Sequence, residues 1–501
     1  MNEPTLRIAH VALHRPNFKG DAASATDRSR AGLADLADAF AFDLVVPEAH
    51  GGVVQEAAHA DAVAAELAAD PPDLLLLQHV TFATGDLVAP LLRAAPDGAA
   101  PRVAVWALPE AEAGRGATGP LPFNALCGLH MTMSLLGGPE VPRDGAPVKW
   151  LYGAVDEARF RTPFGVTVAA LRAVKALERA TILRIGGTAP GFFALEERPA
   201  GLRGVTVIER PLADLWDATD AADDADVDAR AEAGREGHDV EVDDATLRRG
   251  ARIEAGLAAL AEADGADALA VRCWPELPDR CDAMACAAMG TLAGAGTPAA
   301  CEGDAMGALS MLALQAVARD PSIVMDLSDL DEVGDAVEAW HCGNAPAAWA
   351  DPDGPAPRLT THFNRDGVGP VRDETLRPGP ATALRFVDEG RAAVVATGAF
   401  EGAVREGYDG VRGWWRAPVW AGTPLPAGRF LAELFERRVP HHLAFVHGDH
   451  AAAVVEACAW AGIEVLGVTP RPFPDALGGG APPAGSARDR DGGRDGDGSG
   501  G

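Results

Sequence analysis

Four short, unbroken apolar runs near the amino end, LRIAHVAL, DLVVP, DLLLLQ and PRVAVWAL, alternate with alanine-rich amphipathic stretches such as SRAGLADLADAFA and DAVAAELAA. Runs without polar alternation need cover on both faces of a sheet, and helices between consecutive strands supply it. The first 172 residues are therefore expected to form a doubly wound α/β unit. The rhythm restarts near Arg172, where RATILRIGG, GVTVIER and DALAVRCW read as strands and IEAGLAALAEA as a helix.

This places a second doubly wound unit over residues 173–330, so that both are Rossmann- or flavodoxin-like. Past about residue 330 the pattern changes. RLTTHFN, PATALRFV and RAAVVATGAF are short runs separated by Gly and Pro without long helices, which predicts a β-rich, barrel-like unit over 331–476. HHLAFVHGDHAAAVVEACAWAGIEVLGV adds a last α/β-like piece. Residues 477–501 are dominated by Gly, Pro, Asp and Arg and read as a disordered tail.

The charge balance excludes some partners. Formal net charge is -30, with three lysines (Lys19, Lys149, Lys175) among 43 basic residues. Dispersed carboxylates with almost no lysine predict a halophilic protein whose self-repulsion is screened by salt. A GC-rich genome also favours Arg over Lys. Such a chain repels nucleic acid and anionic membranes. The opening MNEPTLRIAHVAL has no basic leader, and no window is apolar enough to span a bilayer. A cytoplasmic location is expected. The acidic stretch from Asp214 to Asp244 reads as a solvated helix and loop. The seven cysteines read as buried thiols, and Cys281 and Cys286 lack the second pair that a zinc knuckle needs.

The segment CEGDAMGALSMLALQAVARDPSIVMD, from Cys301 to Asp326, places acids at both ends of an apolar helix-like stretch. Read as consecutive βα units, ADALAVRCW, TPAAC and SIVMD are parallel strands, with a helix DRCDAMACAAMGTLAGAG between the first two. Trp274, Glu302 and Asp326 then share the carboxyl rim, where open α/β sheets bind ligands. Two carboxylates there suit a divalent metal, and histidines are the natural further ligands. His341, His441, His442, His447 and His450 are available. The structural alternatives are a helix-dipole acid for Glu302 and a turn or cap residue for Asp326.

EGDAMGALSML…VMD, HHLA, HCGNAP, RCWPEL and GPATALRF together resemble segments of the L-fucose and L-arabinose isomerase family over about residues 6–470. The resemblance implies a metal-dependent aldose–ketose isomerase working through an ene-diol on a free sugar like L-fucose, D-arabinose or L-arabinose. It implies a manganese (Mn²⁺) or other divalent ion held by Glu302, Asp326 and His442, with His341 as the alternative ligand and Asp304 as the family's second acid. Glu302 and Asp326 are the implied proton-transfer pair. His441, Trp274, Arg15 and His130 are the implied sugar-binding residues, His130 reaching a neighbouring subunit's site. A homo-oligomer, hexameric or trimer-based, is implied as well.

Two other classes share these features. A metal-dependent epimerase or lyase uses the same proton chemistry. A non-catalytic intracellular sugar-binding protein would share the α/β units. A dehydrogenase is disfavoured, because RIGGTAPGFF lacks the full G-x-G-x-x-G pattern.

Overall fold

The computed structural model describes residues 5–93, 102–110, 121–142, 147–365, 367–402 and 408–467. The tail expected from residue 477 lies outside them. The first sheet is parallel, in the order Phe42–Val45, Leu6–Leu13, Leu74–His79, Val103–Ala107, Val148–Tyr152, with Val53–Val54 beside the Leu6 strand. Apart from that two-residue strand this is the 2-1-3-4-5 order of doubly wound sheets. Its strands are buried on both faces, as the unbroken apolar runs require. Helix Ala22–Phe40 covers one face through Ala25, Ser29, Leu33 and Leu36, at helical spacing; Asp21 caps it by accepting from the Ser24 amide.

Helix Ala158–Leu177 leaves this unit and packs against helices Ala305–Ala318 and Ala451–Ala461. The seam holds a buried ion pair. Lys149 Nζ lies 2.6 Å from Glu456 Oε2, and Thr167 donates to Glu456 Oε1 at 2.6 Å.

The second sheet is also parallel, ordered Ala299–Ala300, Ala268–Val271, Thr181–Ile185, Thr206–Arg210. Two expectations are corrected here. The helix anticipated from Asp279 to Gly296 is broken into Glu276–Cys281 and Cys286–Gly294, because Asp282 turns left-handed at φ 47°. SIVMD is not a parallel strand of this sheet. Ile323–Asp331 pairs antiparallel with His442–His447 and Ala336–His341. The cause is helix Ala305–Ala318, buried nearly all round between the second sheet and strands of the third. A helix apolar on every side does not specify which sheet the chain enters next.

The third sheet is large and mostly antiparallel. Ile323–Asp331 pairs His442–His447, which pairs Gly379–Val387, which pairs Ala392–Phe400. Ala392–Phe400 pairs Val411–Trp420, which pairs Ala336–His341, which returns to Ile323–Asp331. Trp415, Phe430 and Phe445 pack under these strands. No helix among the described residues is long and apolar enough to cross a membrane.

Candidate active site

Where Ala299–Ala300 ends, the chain makes a tight turn over the edge of the second sheet. Glu302 has φ 60° and Gly303 φ 74°. A side chain on Gly303 would meet the Gly187 carbonyl at 2.0 Å, so only glycine fits there. The Ala189 amide donates to the Glu302 carbonyl at 3.0 Å, so the turn after Thr181–Ile185 clamps Glu302 in its unfavourable conformation. Strain of this kind in a non-glycine residue concentrates at functional positions.

Asp304 begins the next helix and accepts from the Gly307 amide at 2.8 Å. Its other oxygen lies 2.5 Å from Arg385 Nη1 and 2.9 Å from His442 Nδ1, and all three side chains are buried. Burial alone would raise the Asp304 pKa; the Arg385 guanidinium and then His442 override it and hold the carboxyl well below its usual range. An ionised carboxylate only accepts, so the bond to Asp304 puts a proton on His442 Nδ1 and turns Nε2 toward Glu302 and Asp326.

Asp326 and His442 are cross-strand partners. Glu302 Oε2 lies 3.5 Å and Asp326 Oδ1 3.6 Å from His442 Nε2. Both carboxylate oxygens are buried and lack a hydrogen-bond partner among the described residues. The single parallel-sheet rim expected for Glu302 and Asp326 is not formed; the two meet instead at a seam between two sheets, because Asp326 lies within an antiparallel strand. His441 Nε2 stands 3.4 Å from Glu302 Oε2 and 3.9 Å from Asp326 Oδ1, an ionic neighbour of both. Burial pushes the Glu302 pKa up, but His441, His442 and His341 outweigh it and leave it below its ordinary value. The Glu302 contact, opposed by burial, raises the His441 pKa.

His341 closes the buried side. Its Nδ1 accepts the Cys342 amide at 2.8 Å, and its Nε2 lies 2.8 Å from Cys301 Sγ, itself 3.7 Å from His442 Nε2. Burial pushes the Cys301 thiol up. Two sets of three potential ligand atoms lie within 4.8 Å of one another: Glu302, His441, His442, and Cys301, His341, His442. At the mouth, Trp274 meets Phe192 edge-on at 5.7 Å, and Phe192 stands 5.8 Å from His441. Arg272 is tied back to Glu276 and the Gly186 carbonyl.

Other anticipated residues lie elsewhere. Arg15 and His130 belong to the first unit, where Arg15 bonds Thr81 and Thr84 and His130 is exposed on helix Ala125–Leu135. None of their described contacts reaches Glu302, Asp326 or His442. His447 packs on Trp349 at 4.0 Å, and His450 bonds the His447 carbonyl. Cys127 is exposed, and Cys281 and Cys342 are half-buried, so not all the thiols are core.

Phe192, Cys301 and Arg385 were not read as site residues. Arg385 left a trace, as a lone guanidinium in the apolar run PATALRFV. Phe192 left none, because its role depends on the turn that carries it.

No protein-family model matches the chain. It is 28% identical over 390 residues to the sulfoquinovose isomerase of Alkalicoccus urumqiensis, covering 76% of this chain and 82% of that protein. It is 26% identical over 392 residues to the sulfoquinovose isomerase of Priestia aryabhattai, covering 77% and 83%. A shorter match, 34% over 125 residues, links it to the sulfoquinovose isomerase of a Clostridium species, covering 25% and 28%.

The chain is an isomerase. It belongs among the intramolecular oxidoreductases, which move hydrogen within one substrate. That chemistry suits a site with two carboxylates beside one histidine. The isomerase's candidate ligand sets also fit a divalent ion.

Proposed function

We propose that this isomerase is a metal-dependent aldose–ketose isomerase of the L-fucose and L-arabinose isomerase type, and that its substrate is sulfoquinovose or a closely similar aldose. The relatives' names support the substrate. The observation that carries the metal reading is the convergence on His442 Nε2 of two buried carboxylate oxygens whose neighbours are histidines and which have no hydrogen-bond partner among the described residues. Buried orphan acceptors are costly, and a cation offsets that cost.

Glu302, Asp326 and His442 would hold the ion. His442 is the better imidazole, because Asp304 fixes its tautomer from behind, as carboxylates do for metal-bound histidines. His341 is the weaker candidate, because its Nδ1 is engaged by the Cys342 amide. When bound, the ion supplies Lewis-acid stabilisation to the sugar's neighbouring oxygens.

Glu302 and Asp326 divide the proton transfers between the carbonyl carbon and its neighbour, passing through an ene-diol. His441 holds a sugar hydroxyl beside Glu302. Trp274 and Phe192 form an apolar wall for a sugar face. Arg15 contacts the sugar, and His130 reaches a neighbouring copy's site in a homo-oligomer. The acidic surface is suited to high salt.

The test is ketose formation from an aldose panel that includes sulfoquinovose, in concentrated KCl, after chelation and after return of Mn²⁺. Turnover lost on chelation and restored by the ion supports the reading. A protein that binds the ion but exchanges only a sugar stereocentre is an epimerase.

A further inference from the structure

Asp326 is one position in a row that crosses antiparallel strands. His442 pairs with Asp326, Asp326 with Trp340, and Trp340 with Arg412. Residues directly opposite one another in register point to the same face of a sheet. Burial agrees: the chain neighbours Leu443, Met325, Ala339 and Val411 all turn into the core beneath the sheet. The row therefore turns the other way, toward the seam that holds Glu302.

The row has the length of a sugar. Strands lie about 4.8 Å apart, which puts the Arg412 backbone about 10 Å from that of Asp326. An open-chain hexose runs about 7 Å from its second carbon to the substituent on its sixth, and an ion–oxygen bond adds about 2 Å at the near end. A sugar whose first oxygens meet the ion at Asp326, and whose chain follows the row, crosses Trp340 and ends over Arg412. Trp340 is half-buried, and the exposed Phe363 stands edge-on to it at 5.1 Å.

Arg412 is suited to an anion. Its Nη1 donates to Asp373 Oδ1 at 2.5 Å and to the Gly410 carbonyl at 2.8 Å, which pins the guanidinium. Its Nη2 makes no hydrogen bond among the described residues, and the side chain is 19% exposed. Asp373 is shared with Arg358, so it offsets only part of the Arg412 charge. Two nearer guanidiniums are committed: Arg385 is fully buried against Asp304, and Arg272 is tied to Glu276.

Sulfoquinovose carries a sulfonate on its sixth carbon, a permanent anion that Glu302 and Asp326 repel. We propose that Arg412 takes this sulfonate and that Trp340 supports the sugar between it and the ion, so that Arg412 separates sulfonated from neutral sugars. The inference rests on the substrate and metal readings above and names what selects the substrate. A planar guanidinium presents parallel N–H donors to the oxygens of such an anion.

The test gives the full chain, loaded with Mn²⁺, sulfoquinovose and quinovose, the same sugar with hydrogen in place of the sulfonate. The preference is the ratio of kcat/KM for the two, measured in wild type, Arg412→Met and Arg412→Lys. In Arg412→Met the preference for sulfoquinovose is expected to fall about 10- to 100-fold, mainly through KM, as when charge-assisted hydrogen bonds are lost. Arg412→Lys should recover part of it. A merely structural arginine lowers both sugars alike, and an unchanged ratio overturns the inference while leaving the isomerase reading standing. If Arg412→Met does not fold, a crystal structure of the wild type with sulfoquinovose decides. Sulfonate oxygens within about 3 Å of the Arg412 guanidinium are then expected, and a sulfonate seated elsewhere overturns the inference. A wild type that turns over aldoses but prefers quinovose to sulfoquinovose overturns the substrate reading and this inference with it.

Discussion

The first two sheets share a topology and differ at their carboxyl edges. In the first, His14 bonds Thr26, Arg15 bonds Thr81 and Thr84, and His79 bonds Thr132 through Nε2, its buried Nδ1 being the neutral ring's atom left without a hydrogen-bond partner among the described residues. In the second, two buried carboxylate oxygens lie beside His441 and His442 without a hydrogen-bond partner among the described residues, and Glu302 is held left-handed. A doubly wound sheet brings loops to one rim, but that alone does not make a reactive site. The second rim differs because the antiparallel sheet presses His441, His442 and Asp326 against it.

The buried histidines repeat the contrast. Burial holds His10 and His79 neutral, with pKa values lowered to about 3. His442, equally buried, is anchored by an ionised Asp304.

The largest effect should come from the orphan carboxylates. Glu302→Gln and Asp326→Asn are each expected to lower kcat by about 10²–10⁴ with unchanged circular dichroism, whereas His79→Gln on the quiet rim leaves kcat within twofold, about the noise of such a comparison. Equal losses at both rims would erase the distinction.

Next is the support behind His442. Arg385→Met strands the buried Asp304 carboxylate and should cost about 3–5 kcal/mol in urea unfolding, as loss of one partner of a buried pair does. A cost comparable to that of a surface arginine would mean Asp304 is not held as described.

The third prediction concerns pH. His79 is neutral in the fold and protonates readily only when unfolded. Its contribution is therefore complete above about pH 6.5 and fades as pH falls toward its folded value of about 3. In that window the stability of wild type should drop more steeply than that of His79→Gln, by up to about 1.4 kcal/mol per pH unit. Identical slopes between pH 6 and 4 would contradict it.

The smallest effect is at the mouth. Phe192→Ala removes one wall beside Trp274 and His441 and should raise KM by about fivefold with little change in kcat, roughly the worth of one aromatic contact. An unchanged KM would put the sugar elsewhere.

Much of this was legible in the chain. Unbroken apolar runs announced the parallel sheets, because a strand covered on both faces has no polar alternation. The spacing from Glu302 to Asp326, with HHLA downstream, marked residues that the fold does bring together. What misled was the route. The helix from Ala305 to Ala318 is apolar all round, so its pattern cannot say that Asp326 departs into an antiparallel sheet. Glu302 reaches the seam through a turn whose geometry depends on Gly187 and Gly303, two residues 116 positions apart, a distance no local pattern reports. Phe192 and Cys301 matter through neighbours that only the tertiary structure supplies.

The central claim is that one ion at Glu302, Asp326 and His442 makes this protein an aldose isomerase. The most direct test titrates Mn²⁺ into metal-stripped wild type and the Glu302→Gln, Asp326→Asn and His442→Gln variants, reading bound ion by calorimetry and ketose from sulfoquinovose in the same samples. One ion per chain in the wild type, with binding and turnover falling together in all three variants, is the predicted result. Turnover that persists in the stripped wild type, or ion binding that survives all three substitutions, would contradict the account.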